Sequence, residues 1–260
     1  MKLCTLVSGS SGNSIFLSHN GTNILIDCGV SGKQIQNSLN QINVSADEID
    51  YILVTHEHID HSKGVGVLSR RYDIPIVASH GTWLGMEIGE IADHNKIVFN
   101  ENSQMDIGGI GVTPFDTPHD AMQPKGYKFD LGDKRIAIAT DIGHINQNIK
   151  DAVFGCEIVI LEANYDEDML ESGPYPYHLK KRIGGEHGHL CNVEAGELAC
   201  FLVENGTHTI MLAHLSKENN SENVAFSTVA RILDLGGIKV SKDVKLGIAP
   251  RYCTSAPIVI

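Results

Sequence analysis

Residues 55–61 read Thr55-His56-Glu57-His58-Ile59-Asp60-His61, an HxHxDH run. Three imidazoles and a carboxylate within six residues are the donors that zinc, iron and manganese accept. In an extended turn, His56 and His58 lie two apart and can face one cation. Asp60 and His61, at the start of a following helix, can face a second. Structural zinc usually recruits cysteine and closes its shell; no cysteine stands near this run.

Other candidate donors share a context, each standing where an apolar strand runs out. Asp27 follows Ile24-Leu25-Ile26, and His119 follows the stretch from Val112 to Pro118. Asp141 follows Ile136 to Thr140, and His214 follows Ile210 to Ala213. Strand ends at a sheet rim are where a rigid scaffold can aim side chains at one point.

The elements that must position them alternate along the whole chain. Asn20-Gly21, Gly108-Gly109 and Gly132-Asp133 are hairpin signals. Tyr51–Thr55, Ile158–Leu161 and Thr209–Leu212 read as buried strands. Helices are expected over Gln34–Ile42, from Ser62 to Tyr72, and behind an N-cap at Asn192 with Ala195, Leu198, Ala199 and Leu202 on its apolar face. A late helix carries Val229, Ile232 and Leu233. Hairpins mixed with strand–helix units predict an α/β (α+β) chain of mixed sheets covered by helices, with residues 1–260 as a single domain.

Composition narrows the setting. The 260 residues are 42 % hydrophobic and 20 % charged, as in an ordinary globular protein. No apolar run has the length of a membrane span or a signal peptide, so a cytoplasmic chain without membrane contact is expected. Six scattered cysteines without a CxxC pair fit that placement. The net charge of −12 argues against a broad nucleic-acid footprint, because such footprints are basic. It leaves phosphate chemistry at a metal centre open, since bound cations reverse the sign locally.

HxHxDH followed in order by His119, Asp141 and His214 resembles the metallo-β-lactamase superfamily. The resemblance implies a four-layer αββα sandwich of two mixed sheets flanked by helices, holding two divalent cations, zinc or manganese with iron as a further candidate. It implies His56, His58 and His119 on one metal, Asp60, His61 and His214 on the other, and Asp141 bridging. Asp27 would orient the histidine loop from behind. Antibiotic-hydrolysing members commonly carry cysteine where Asp141 stands, which points away from β-lactam chemistry.

A narrower likeness covers nearly the whole chain. Ser8–Asn13, Pro118–Ala121, Leu161–Asp166, Gly173–Pro176, Lys180–Ile183 and Gly188–Asn192 look like the bacterial YycJ (WalJ) branch, which usually has serine in place of Cys191. That branch implies a DNA exonuclease working 5′ to 3′, a phosphodiesterase whose cations activate a water against phosphorus. The alternatives are hydrolysis of small phosphodiesters or cyclic nucleotides and, further off, of thioesters or lactones. Two of these stretches also resemble tRNA 3′-processing ribonucleases, in which a Glu and a His act as a pair near the scissile phosphate. Glu162 and His189 occupy matching contexts as catalytic residues beside Asp60. His187 rivals His189 by position alone. Tyr175, Tyr177 and the basic run Lys180-Lys181-Arg182 are candidate strand contacts, and His144 is a candidate neighbour of the site.

Overall fold

The computed structural model of the protein describes residues 1–99 and 103–259. The chain forms two compact units. The first holds residues 1–114, 121–125 and 250–260; the second holds 115–120 and 126–249.

The first unit opens with β1 (Lys2–Val7), β2 (Ser14–His19) and β3 (Thr22–Ile26). Asn20 and Gly21 both have positive φ, 51° and 89°, the geometry a type I′ hairpin demands. Next come α1 (Gly32–Gln41), β4 (Tyr51–Leu53), α2 (Ile59–Ser62), α3 (Val65–Tyr72), β5 (Ile76–Ala78), α4 (His80–Gly85) and β6 (Lys96–Val98). The hairpin of β7 (Met105–Ile107) and β8 (Ile110–Asp116) turns at Gly108-Gly109, and β8 carries the chain toward the second unit. With the C-terminal β14 (Ile258–Val259), the sheet order is β14-β1-β2-β3-β4-β5-β6. It is antiparallel from β14 to β3 and parallel from β3 to β6. Phe16, Leu25, Ile52 and Ile76 on one sheet face pack with Ile35 and Leu39 of α1 and Val65 and Leu68 of α3. Ser31 and Gln34 close a reciprocal capping box that starts α1.

The second unit contains β9 (Lys125–Asp130), β10 (Arg135–Ala139), α5 (Gln147–Val153), β11 (Ile158–Glu162), α6 (Glu167–Ser172) and α7 (Tyr177–Ile183). It continues with α8 (Asn192–Glu204), β12 (Thr209–Ala213), α9 (Glu222–Leu235) and β13 (Lys245–Ile248). Its strands run β13-β12-β11-β10-β9, parallel except for the β9–β10 hairpin. Ala137, Val159, Leu161, Ile210 and Leu212 meet α5, α8 and α9 in one core with Ile149, Leu198 and Val229. Among the described residues, no helix is long and apolar enough to cross a membrane.

Two sequence expectations need correction. The helix expected from Ser62 to Tyr72 begins at Val65, as α3, and Ser62 instead ends the short α2. Gly64 divides them because its N–H donates to Cys28 O at 2.7 Å, and a Cβ there would lie 2.5 Å from Val30 O. The cap of α8 is Cys191, not Asn192. Cys191 Sγ accepts from Glu194 N, while Glu194 Oε2 accepts from Cys191 N. Burial pushes this thiol up to about 12, so it caps as a neutral group where a serine hydroxyl would otherwise serve.

Candidate metal centre

Each unit gathers its own donors at strand ends. In the first, β4 ends at Leu53 and the chain enters the loop carrying His56 and His58, then the short α2 carrying Asp60 and His61. The rings of His56 and His58 stand 4.6 Å apart, those of His56 and His61 4.1 Å apart. His61 Nε2 lies 3.6 Å from Asp60 Oδ2. The four expected donors of HxHxDH are therefore one cluster.

Asp27, which the family resemblance placed behind the histidine loop, contacts that cluster from the end of β3. Its carboxylate accepts from Thr55 N, Thr55 Oγ1 and His61 Nδ1, each at 2.8 Å. A carboxylate only accepts, so His61 Nδ1 carries the proton and Nε2 the lone pair. Asn13 also meets this ring and was not among the expected site residues. Its Oδ1 accepts from Gly9 N, which turns Nδ2 toward His61 Nε2 at 3.0 Å. The signal for it was the Ser8–Asn13 stretch, legible only as a family motif. The backbone beneath is tight: a Cβ on Gly29 would lie 1.6 Å from Asp60 O.

Removing the acceptor behind a ligating histidine typically weakens metal binding by 10–100-fold. Asp27→Ala is accordingly expected to weaken manganese or zinc binding by about 10- to 100-fold. Titration calorimetry on the metal-free protein checks this, and wild-type affinity in the variant would refute it.

In the second unit His119, Asp141, Glu162, His189 and His214 come together. One donor atom from each of Asp141, Glu162, His189 and His214 lies within 4.8 Å of the others. His119 Nε2 stands 3.7 Å from Asp141 Oδ1. Glu162 is completely buried and its two oxygens divide their work. Oε1 lies 2.7 Å from His214 Nδ1 and 2.9 Å from His189 Nδ1. Oε2 accepts from Ile142 N at 2.8 Å and Leu190 N at 3.2 Å. Burial acts to raise this carboxyl, but the charges and hydrogen bonds of His189 and His214 outweigh it and hold it well below the usual carboxylate range.

The structure separates the two rival histidines. His189 is the ring on Glu162, whereas the His187 side chain is exposed and its carbonyl accepts from Asp120 N. The neighbouring Gly188 carbonyl accepts from His119 Nδ1 at 2.9 Å. That partner was invisible in the sequence, because any residue type supplies a carbonyl. Burial pushes the His119 imidazole down and so favours its neutral form, against a smaller pull from Asp141. His144 is bonded to Glu186 O instead of joining the cluster. Arg182 Nε donates to Asp120 beside His119, while Tyr175, Tyr177, Lys180 and Lys181 line a separate cavity of about 470 Å³.

The donor chemistry fits divalent cations. His61, His119 and His214 each commit Nδ1 to an oxygen acceptor, which turns Nε2 to the ligating role, although His61 Nε2 also meets Asn13 Nδ2. Carboxylate and imidazole make up the rest of both sets, a match for zinc or manganese. Asp27, Asp141 and His214 share one further trait. All are left-handed, with φ of 61°, 57° and 56°, so the backbone turns sharply where each strand ends.

Comparison with known proteins agrees with this chemistry. The profile of the Beta-lactamase superfamily domain matches residues 22–214, from just before Asp27 to His214. The exodeoxyribonuclease YycJ of Bacillus anthracis is 36 % identical over 239 residues, covering 91 % of this chain and 90 % of that one. The exodeoxyribonuclease WalJ of Streptococcus pneumoniae serotype 2 is 37 % identical over 249 residues, covering 94 % and 93 %. Among solved structures, the metallo-β-lactamase fold protein YhfI of Bacillus subtilis aligns with a TM-score of 0.76 at 16 % identity, covering 98 % of both chains. The α/β fold of two mixed sheets flanked by helices is thus the metallo-β-lactamase fold, and the chain belongs to the β-lactamase superfamily of metal-dependent hydrolases, in the branch of the YycJ and WalJ proteins.

Proposed function

We propose that the protein is a dinuclear metal-dependent phosphodiesterase, a cytoplasmic DNA exonuclease working 5′ to 3′, with residues 1–260 acting as one hydrolase domain. In this reading His56, His58 and His119 hold one cation, Asp60, His61 and His214 hold the other, and Asp141 serves both. When bound, two zinc or manganese ions would acidify a water and offset the charge that builds on the phosphoryl oxygens. The chain's own groups do the rest. Asp27, Gly188 O and Glu162 fix the rings of His61, His119 and His214. Asp60 orients the attacking water. His189, its Nδ1 committed to Glu162, offers Nε2 to protonate the leaving alkoxide.

The fork of Glu162 onto both a ligand histidine and His189 carries this reading. A thioester hydrolase expels a thiolate that leaves without a proton, whereas the alkoxide leaving group of a phosphodiester is expelled more readily with one from His189. Two relatives named as exodeoxyribonucleases and a family match spanning every proposed ligand support it.

The test is to incubate manganese-loaded protein with end-labelled DNA and RNA, single- and double-stranded, beside Asp141→Ala. Stepwise shortening of DNA from the 5′ end, absent in the variant, is the expected result. Metal-loaded protein that cuts no polymer would sink the reading and leave small phosphodiesters as the substrate. His189→Ala should retain its metals and slow DNA hydrolysis by about 10²–10⁴-fold. Undiminished turnover in that variant would remove the proton-donor role.

A further inference from the structure

A chain of net charge −12 that acts on DNA must concentrate its few cations where the strand lies. One groove in the first unit has that character. It lies between α1 and the α2–α3 segment and has a volume of about 580 Å³. Lys33 and Gln36 stand on the α1 side, and Lys63, Val67 and Arg71 on the other. Lys63 keeps helical backbone, with φ −48° and ψ −42°. The fourfold spacing of Val67 and Arg71 puts both on one face of α3. The lining has no aspartate or glutamate. No described carboxylate lies within 4.0 Å of Lys33, Lys63 or Arg71. In contrast, Lys96, Arg182, Lys217 and Lys239 each face one.

In sequence the groove begins next to the metal donors. Lys63 follows His61 by two residues and closes the helix that carries Asp60. Val67 and Arg71 lie one helical turn apart on α3, about 6 Å at 1.5 Å per residue, and Lys63 stands across Gly64 at the end of α2. Phosphates of one strand advance about 3.4 Å per nucleotide along a duplex axis, so cations spread along this groove can meet several of them. Val67 and Leu68 give the groove apolar surface between its cations.

We infer that this groove seats the sugar–phosphate backbone of the DNA strand beyond the scissile bond, with Lys33, Lys63 and Arg71 on successive phosphates. The inference rests on the exonuclease reading for its ligand. It assigns substrate grip to residues remote from the chemistry, and it accounts for polymer binding by an acidic protein.

The test compares wild type with Lys33→Ala/Lys63→Ala/Arg71→Ala and with the charge-preserving Lys33→Arg/Lys63→Arg/Arg71→Lys. All three side chains are exposed, so the fold should survive, and melting curves verify it. Anisotropy with a fluorescein-labelled phosphorothioate strand of about 20 nucleotides gives Kd between about 50 and 200 mM salt. Hydrolysis of bis(p-nitrophenyl) phosphate monitors the chemical site alone. The alanine variant should lose about 2 from the slope of log Kd against log salt, at about 0.7 per phosphate, and the charge-preserving variant should keep it. The wild-type advantage then shrinks about 20-fold across that salt range. Hydrolysis of the small diester should be unchanged in both variants. Cleaved DNA together with an unchanged slope in the alanine variant overturns the groove and leaves the exonuclease reading standing. Wild type that grips DNA with the steeper slope yet leaves ordinary DNA uncut overturns the exonuclease reading, and the groove stands.

Discussion

Asp141→Ala is expected to lower phosphodiester turnover by roughly 10³-fold or more and to reduce metal retention with it. Asp141 is buried, and its Oδ1 lies 3.4 Å from His214 Nδ1 and 3.7 Å from both His119 Nε2 and His189 Nδ1. Losing that carboxylate leaves three imidazoles converging with less negative charge to balance a cation. Backbone strain is a rival explanation, because alanine at the left-handed φ of 57° costs about 1–2 kcal/mol. Asp141→Asn separates the two, since asparagine tolerates that conformation and removes the charge. Metal analysis and rates on both variants decide the matter. If the asparagine variant keeps its metals and near-wild-type turnover, the proposed ligand role is wrong.

Glu162→Ala should lower stability by about 3–5 kcal/mol. Each of its four hydrogen bonds ends on a buried or nearly buried donor: two imidazole N–H groups and the amides of Ile142 and Leu190. Truncation leaves these donors unsatisfied, at about 1–3 kcal/mol for each that finds no water. At this chain length the melting temperature should fall by about 10 °C. Glu162→Gln is the sharper probe of the geometry. Its amide has one accepting oxygen, so its NH₂ must face either the histidine pair or the amide pair. Turnover should drop about 10²-fold or more in the alanine variant, because His189 and His214 lose their shared acceptor. Since Glu162 acts through His189, adding His189→Ala to Glu162→Ala should slow the enzyme by much less than the product of the two single effects. A glutamine variant that melts with wild type would show that the fork is not formed in solution.

The fold was legible where residue type and backbone demand coincide. Asn20-Gly21 can make its hairpin because both positions accept positive φ. The HxHxDH run was local, so its clustering followed from spacing. Their places at strand ends singled out Asp27, His119, Asp141 and His214 from the sequence. What the sequence hid were contacts made by groups every residue owns. Gly188 O orients His119, and no side-chain pattern announces a carbonyl. Gly64 splits the expected helix because another segment's carbonyl passes close by, a tertiary cause with no local trace. Cys191 caps α8 although thiols rank low as caps, so Asn192 was the better guess by propensity alone. Glu162 was expected to serve His189, but its second grip, on His214, depends on β11 and β12 lying side by side.

The left-handed turns at Asp27, Asp141 and His214 also shape how this enzyme can decay. Glycine, asparagine, aspartate and histidine are the residues that sit easily in such a backbone. The substitutions easiest on the backbone at these positions, glycine and asparagine, therefore remove the chemistry without straining the turn. Branched replacements such as valine or isoleucine would unsettle both. A library of variants scored for cellular abundance and for catalysis would diverge at these three positions, with abundant but inert proteins carrying glycine or asparagine. Inactive descendants that keep the scaffold for binding alone lie one codon change away.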